Sequence, residues 1–280
     1  MNIRKALQTM TEALKARTEE PRWEARMILA HVTRQKPAEL LFKLDEPLSQ
    51  PLWATCRELT AKRREGHPLQ YLVGEWDFMG ETFYVEPGVL IPRPETELLV
   101  EEALRCLSPK SVFADVGVGS GAIALSVLKR MPGAKAYGLD VNERALALSQ
   151  KNAQRLAVED RITLLRSDLF SGLSEDVRLD GVLSNPPYIP TGDIEGLMTE
   201  VRDHEPLSAL DGGADGLDFY RRLAGEPMPL KKGGVMLLEL GQGQDSSVRQ
   251  IMAPLFERTY CIQDYSGIPR IFVGCGWLKE

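Results

Sequence analysis

The chain has 280 residues and predicts an α/β protein, a mostly parallel sheet covered by helices and preceded by a small helical bundle and a β-hairpin. Three observations carry this. From about residue 95 onward, short apolar runs of strand length alternate with longer amphipathic segments, the pattern of successive βα units. The first 74 residues place their apolar side chains at helical spacing only. Between the two regions, aromatic residues flank a Gly-Glu turn.

The elements follow in order. Ile3, Leu7, Met10 and Leu14 mark a first helix, and Trp23, Met27, Ile28, Ala30 and His31 a second, entered through Pro21. Shorter helices are expected over 37–43, 50–65 and 68–73. This segment, 1–74, has no catalytic arrangement, so packing and partner binding are its expected roles. Trp76, Phe78, Phe83, Tyr84 and Val85 around Gly80-Glu81, with Pro87-Gly88 next, read as a hairpin linker over 75–92. The remainder, 93–280, carries strands expected at 111–116, 135–140, 161–166, 180–185, 233–240, 257–263 and 269–275. Helices fit at 95–107, 121–131, 143–155, 215–226 and 243–253. The last two strands are too close for a helical crossover and should pair antiparallel.

Composition bounds the function. Hydrophobic content of 43% and charged content of 26% are those of an ordinary globular protein, and no apolar stretch approaches the roughly 18–20 residues of a membrane span. The opening Met-Asn-Ile-Arg-Lys-Ala has no apolar core leading to a cleavage site, so no signal peptide is expected. Cys56, Cys106, Cys261 and Cys275 are scattered, as are the three histidines. No metal site is expected, and reduced thiols in a cytoplasmic protein are the plain reading. The net charge of −6 divides unevenly: residues 1–74 carry 13 Lys+Arg against 9 Asp+Glu, the rest 21 against 31. The larger part lacks the basic stripe that grips a nucleic-acid backbone. The cluster Lys62, Arg63 and Arg64 reads as a solvated helix end.

Two segments carry chemistry. Val112-Phe-Ala-Asp115-Val-Gly117-Val118-Gly119-Ser120-Gly121-Ala122 leaves a strand and enters a helix. Its glycines let the backbone turn tightly and approach a ligand. Asp140 ends the next strand and can accept from both hydroxyls of a ribose; Asp168 follows the third and can accept from an adenine amino group, beside Leu169 and Phe170. The spacing also satisfies the dinucleotide pattern, leaving NAD as a rival. Asp115, read as facing the ligand mouth, repels a pyrophosphate but not a cationic amino group or sulfonium, and so favours S-adenosylmethionine.

The second segment is Asn185-Pro186-Pro187-Tyr188, after the apolar run 180–184. Two prolines fix φ and remove two backbone donors. The Asn185 side-chain oxygen and the Pro186 carbonyl are then free to accept both hydrogens of a planar NH₂ group, with Tyr188 packing on its face. An amide nitrogen is a poor nucleophile, so holding its face toward an electrophile is the service such a site performs. The turn alone does not distinguish glutamine from adenine.

These residues resemble the class I S-adenosylmethionine-dependent methyltransferases, whose Rossmann-like sheet has seven strands with the last antiparallel. More narrowly, nearly the whole chain resembles the HemK/PrmC family of protein-glutamine methyltransferases. The resemblance rests on His67-Pro-Leu-Gln-Tyr71 with Gly74, Val89-Leu-Ile-Pro-Arg93-Pro-Glu95-Thr-Glu97, Asp115 to Gly121, Asn185 to Tyr188, Glu205-Pro206, Asp211-Gly-Gly213 and Asp218-Phe-Tyr220. It implies transfer of methyl from S-adenosylmethionine, leaving S-adenosylhomocysteine, to the glutamine amide nitrogen of the Gly-Gly-Gln motif in class 1 peptide-chain release factors. It implies cofactor contacts at Gly117 to Gly121, Asp140, Asp168 or Leu169, and Asn185. The family often has an aromatic residue where this chain has Leu169. Arg93, Glu95 and Glu97 stand either as substrate contacts or as an ion-paired junction. Alternatives are a glutamine methyltransferase acting on a ribosomal protein and an adenine-amino methyltransferase of nucleic acid; the Pro94-Glu95-Thr96-Glu97 stretch disfavours the first and the charge balance the second. His204 is expected to be a packed or surface histidine rather than a base.

Overall fold

A computed structural model describes residues 1–279. Along the chain run α1 (Ile3–Leu14), α2 (Pro21–Thr33), α3 (Gln50–Arg64), α4 (Leu69–Val73), β1 (Glu75–Phe78), β2 (Glu81–Tyr84), α5 (Glu97–Cys106), β3 (Val112–Val116), α6 (Ala122–Arg130), β4 (Lys135–Asp140), α7 (Glu143–Arg155), β5 (Ile162–Arg166), β6 (Leu179–Ser184), α8 (Thr199–Arg202), α9 (Asp218–Gly225), β7 (Leu230–Glu239), α10 (Asp245–Met252), β8 (Phe256–Gln263) and β9 (Pro269–Trp277). They form two compact units. One is Met1–Glu75 together with Met198–His204; the other is Trp76–Leu197 together with the chain from Glu205.

In the helical unit, the Asn2 side chain caps α1 by accepting from the Lys5 amide at 3.0 Å. Ile3, Ala6, Met10 and Leu14 line its buried face and meet Ile28, Leu29, Trp53 and Cys56. Each large side chain so buried contributes roughly 1.5–3 kcal/mol. The stretch expected as a helix over 37–43 is a single tight turn, Glu39–Phe42. Arg63 corrects the reading of its neighbourhood as a solvated helix end: it is only 4% exposed, while Arg64 is exposed. Its guanidinium forks onto Glu24, with Nε 2.7 Å from Oε2 and Nη2 2.9 Å from Oε1. Its Nη1 reaches Glu200 at 2.5 Å, which brings the distant segment carrying α8 into this unit. His204 stacks on His67 with ring centroids 4.3 Å apart, a packed histidine.

The second unit is a seven-stranded sheet in the order β5-β4-β3-β6-β7-β9-β8. Neighbours from β5 through β7 are parallel, and β9 runs antiparallel to both β7 and β8. Phe113 faces the apolar layer formed by α5, α6 and α7; its neighbour Ala114 faces the layer with α9 and α10. Covering both faces this way is what a mainly parallel sheet requires. Phe78 and Phe83 of the hairpin pack edge-to-face, 6.0 Å between centroids, within the first layer. After β3 the chain winds outward through β4 to β5; β6 then lies on the other side of β3. That reversal opens a crevice beyond the carboxyl ends of the strands, the usual ligand position in such sheets.

Candidate active site

The turn after β3 is built from two glycines with positive φ, Gly117 at 76° and Gly119 at 56°, a conformation that favours glycine. The amides of Gly117 and Val118 donate to the Leu139 carbonyl at 2.8 and 3.0 Å, which ties the turn to β4. A side chain added at Gly117 would meet nothing within 4 Å, so the backbone there faces open space. Asp140 completes the link: its Oδ2 accepts from the Gly119 amide at 3.0 Å and its Oδ1 from the Asn142 amide at 2.9 Å. Each oxygen keeps lone-pair capacity for a further donor. Burial raises the Asp140 carboxyl above the usual range, against these backbone donors.

A cavity of about 260 Å³ lies over this turn. Of the residues expected to bind a cofactor, Gly117, Val118, Gly119, Ser120, Asp140, Asp168, Leu169 and Asn185 line it. Pro187 lines it as well. Leu90, Pro92, Thr96 and Phe219, which lie in segments that carry the resemblance but had no expected contact, also line it, as do Asn142 and Ser208. Leu169 is buried with φ 48°, and Phe219 supplies an aromatic wall. Asp168 is ion-paired with Arg222 at 2.9 Å across an exposed contact.

Asp115 is not placed as the sequence suggested. It does not face the mouth; it is fully buried beneath the turn, on the strand face directed toward α6. Its Oδ2 accepts from the Ala124 amide at 3.0 Å, satisfying an otherwise unpaired donor in the first turn of that helix. Its Oδ1 has no partner among the described residues. Burial, with Asp140 nearby, pushes its carboxyl up to about 7. Gly121, also behind the cavity wall, precedes α6.

The other expected residues also divide. Asn185 lines the cavity, and its Nδ2 donates to Thr96 Oγ1 at 3.2 Å. Pro186 is buried outside the lining. Tyr188 does not line the cavity; its hydroxyl lies 3.4 Å from Glu239 Oε1, and its carbonyl accepts from Gln244 at 2.8 Å. Arg93 pairs with the buried Glu205 at 2.5 Å, Glu97 accepts from the Met79 amide at 2.5 Å, and Glu95 is exposed. Thus the Arg93 to Glu97 stretch braces the hairpin and the loop before α9, and the residue it brings to the cavity is Thr96. Thr96 in turn donates to Glu239 Oε2 at 2.6 Å. Glu239 is a lone acid at the end of the apolar strand β7, which was the one signal that could have flagged it.

The lining suits a nucleoside-bearing cationic group. It offers a bare backbone turn, a carboxylate with spare lone pairs at the strand end, and apolar walls at Leu169 and Phe219. Among the described residues there is no cluster of His, Cys, Asp and Glu able to hold a metal ion, and no helix long and apolar enough to cross a membrane.

Residues 5–74 match the family model of the PrmC N-terminal domain, and residues 94–200 that of the methyltransferase small domain. The release factor glutamine methyltransferase of Geobacter sulfurreducens is 43% identical over 262 residues, covering 91% of this chain and 90% of its own. That of Moorella thermoacetica is 39% identical over 279 residues, 98% of both chains. Among solved structures, a methyltransferase from Pyrococcus furiosus superposes with a TM-score of 0.53 at 18% identity, over 70% of this chain and 89% of its own. The 16S rRNA N2 G1207 methyltransferase of T. thermophilus, solved with AdoMet and guanosine, gives 0.52 at 21% identity, over 72% and 49%. These two likenesses establish the fold.

Proposed function

The chain belongs to the release factor glutamine methyltransferase family, and on that premise we propose that it methylates the glutamine amide nitrogen of the Gly-Gly-Gln motif in class 1 release factors, using S-adenosylmethionine. The observation that carries this is the meeting of Asn185 and the Gly117 to Gly119 turn on one cavity.

S-adenosylmethionine, when bound, supplies an electrophilic sulfonium methyl. Asp140 would accept from its ribose, the Gly117 to Gly119 backbone would lie against its amino-acid part, and Leu169 and Phe219 would flank its adenine. The rest of the chemistry belongs to the chain. Asn185 Oδ1, on the cavity, would accept one N–H of the substrate amide, and the backbone carbonyl of Pro186, a residue otherwise buried outside the lining, would accept the other at the cavity edge, which fixes the amide plane and turns the nitrogen face toward the methyl. Transfer would form the nitrogen–carbon bond as the sulfonium sulfur–carbon bond breaks, with the neutral thioether as leaving group, and the alkylated amide, now strongly acidic, would give its extra proton to water; alignment then supplies the rate and no strong base is required. Tyr188, held by Glu239, stiffens the turn from outside the cavity rather than packing on the guest.

The helical unit would engage the release factor, its basic excess facing an acidic partner surface; the enzyme would work in the cytoplasm. Mass spectrometry of a release factor incubated with S-adenosylmethionine and this protein should show one added methyl on the Gly-Gly-Gln glutamine. Label appearing in DNA or a ribosomal protein, with the release factor unmodified, would overturn the assignment.

A further inference from the structure

We propose that Thr96 and Glu239 are positioning residues that decide which end of the Asn185 carboxamide faces the substrate. The inference rests on the reading of Asn185 as the acceptor for a substrate N–H.

Glu239 is 2% exposed, with Oε2 2.6 Å from Thr96 Oγ1 and Oε1 3.4 Å from the Tyr188 hydroxyl. An ionised carboxylate carries lone pairs and no proton, so the single Thr96 hydroxyl hydrogen is committed to it. Thr96 Oγ1 is then an acceptor only. The Asn185 Nδ2 group, 3.2 Å away, fits that requirement as a donor. A reversed carboxamide would set oxygen against oxygen. The relay therefore holds the Asn185 nitrogen inward and leaves its oxygen for the guest.

The strand end that carries the relay is itself pinned, because the Tyr220 hydroxyl donates to the Glu239 carbonyl at 2.7 Å. Burial raises the Glu239 carboxyl to about 7; the Thr96 and Tyr188 hydroxyls and Arg270 oppose the rise, and Glu95 adds to it. The acceptor form that the relay needs is thus the dominant one in mildly alkaline solution.

Thr96→Val, Thr96→Ser and Asn185→Ala in the full chain, assayed at about pH 8 where the carboxylate is ionised, test this. Thr96→Val should lower kcat/KM for release factor methylation roughly 10–100-fold, the value of one buried hydrogen bond to a charged chain. Thr96→Ser, which keeps the hydroxyl, should stay within about threefold of wild type, and the dissociation constant for S-adenosylmethionine should move less than about threefold in both. In the unliganded protein, the Asn185 carboxamide protons, seen by ¹⁵N labelling of asparagine, should be protected from exchange in wild type and Thr96→Ser and lose that protection in Thr96→Val. A Thr96→Val enzyme of normal kcat/KM, or a Thr96→Ser enzyme as impaired as Thr96→Val, overturns the relay. Asn185→Ala separates the two levels. If it is inactive while Thr96→Val is normal, only the relay falls; if Asn185→Ala itself is active, the role of Asn185 falls and takes the relay with it.

Discussion

Replacing Arg63 with methionine should destabilise the helical unit far more than an ordinary helix-end substitution. Arg63 and Glu24 side chains are 5% and 7% exposed, and Glu200 is 23% exposed. Methionine keeps the volume of the aliphatic stem but leaves the Glu24 carboxylate buried without its two charge-assisted bonds. Removing one partner of a buried ion pair costs about 3–5 kcal/mol. At an m-value of about 1.5 kcal/mol per molar urea, the midpoint should fall by about 2–3 M. Amide hydrogen exchange in α1, α2 and α3 reads this unit by itself and should show the same loss. The double variant Glu24→Leu/Arg63→Met should regain most of it, because replacing both charges removes the unpaired one. A single-variant loss below about 1 kcal/mol would place Arg63 among solvated surface charges and refute the reasoning.

Other expectations follow from the second unit. Asp115 titrates near 7 when folded and near 4 when unfolded, so the folded state binds the extra proton and stability from this group is lost as pH rises through 7. Urea titrations at pH 5.5 and 8 should therefore show wild type losing about 2 kcal/mol more than Asp115→Asn across that step; equal losses would show that Asp115 is not the titrating group. Gly216 has φ 74°, and a Cβ there would lie 2.3 Å from the Tyr188 carbonyl oxygen and 2.5 Å from Gln244 Nε2. Gly216→Ala should lower stability by about 2–4 kcal/mol from strain and overpacking, and reduce methylation through displacement of the turn; an unchanged melting temperature would contradict this. A release factor with Glu in place of the Gly-Gly-Gln glutamine should be methylated roughly 10⁴-fold less well, since it lacks the N–H donors and brings charge toward two acceptors. Comparable turnover of the two substrates would remove the basis for the roles of Asn185 and Pro186.

What could be read from the sequence was what is encoded locally. Gly117 and Gly119 announce a tight turn because the conformation they occupy is theirs to adopt, and Pro186-Pro187 announces a rigid one. The strand alternation of 112–116 also contained the orientation of Asp115, since Phe113 and Asp115 share a face. The attraction of an acid beside a glycine-rich turn obscured it. Thr96 was hidden between Glu95 and Glu97, whose charges look more chemical yet serve exposed or bracing contacts. Arg63 and Glu200 stand 137 residues apart, and no local pattern announces such a pair. The chain from 189 to 217 is mostly tight turns and one short helix, with neither period to follow.

Residues 198–204 make the helical unit a split protein. The piece 1–75 does not hold all of its own interior; the segment with Glu200 and His204 follows the Asn185 to Tyr188 turn along the chain. Cleavage of the chain at the hairpin would leave two fragments, with the larger one carrying the segment that complements the smaller. Separately expressed fragments should then bind each other, and Glu200→Ala in the larger one should weaken that binding. A truncation that removes 1–74 would not subtract a module cleanly; it would strip that segment of its partners only ten residues beyond Tyr188.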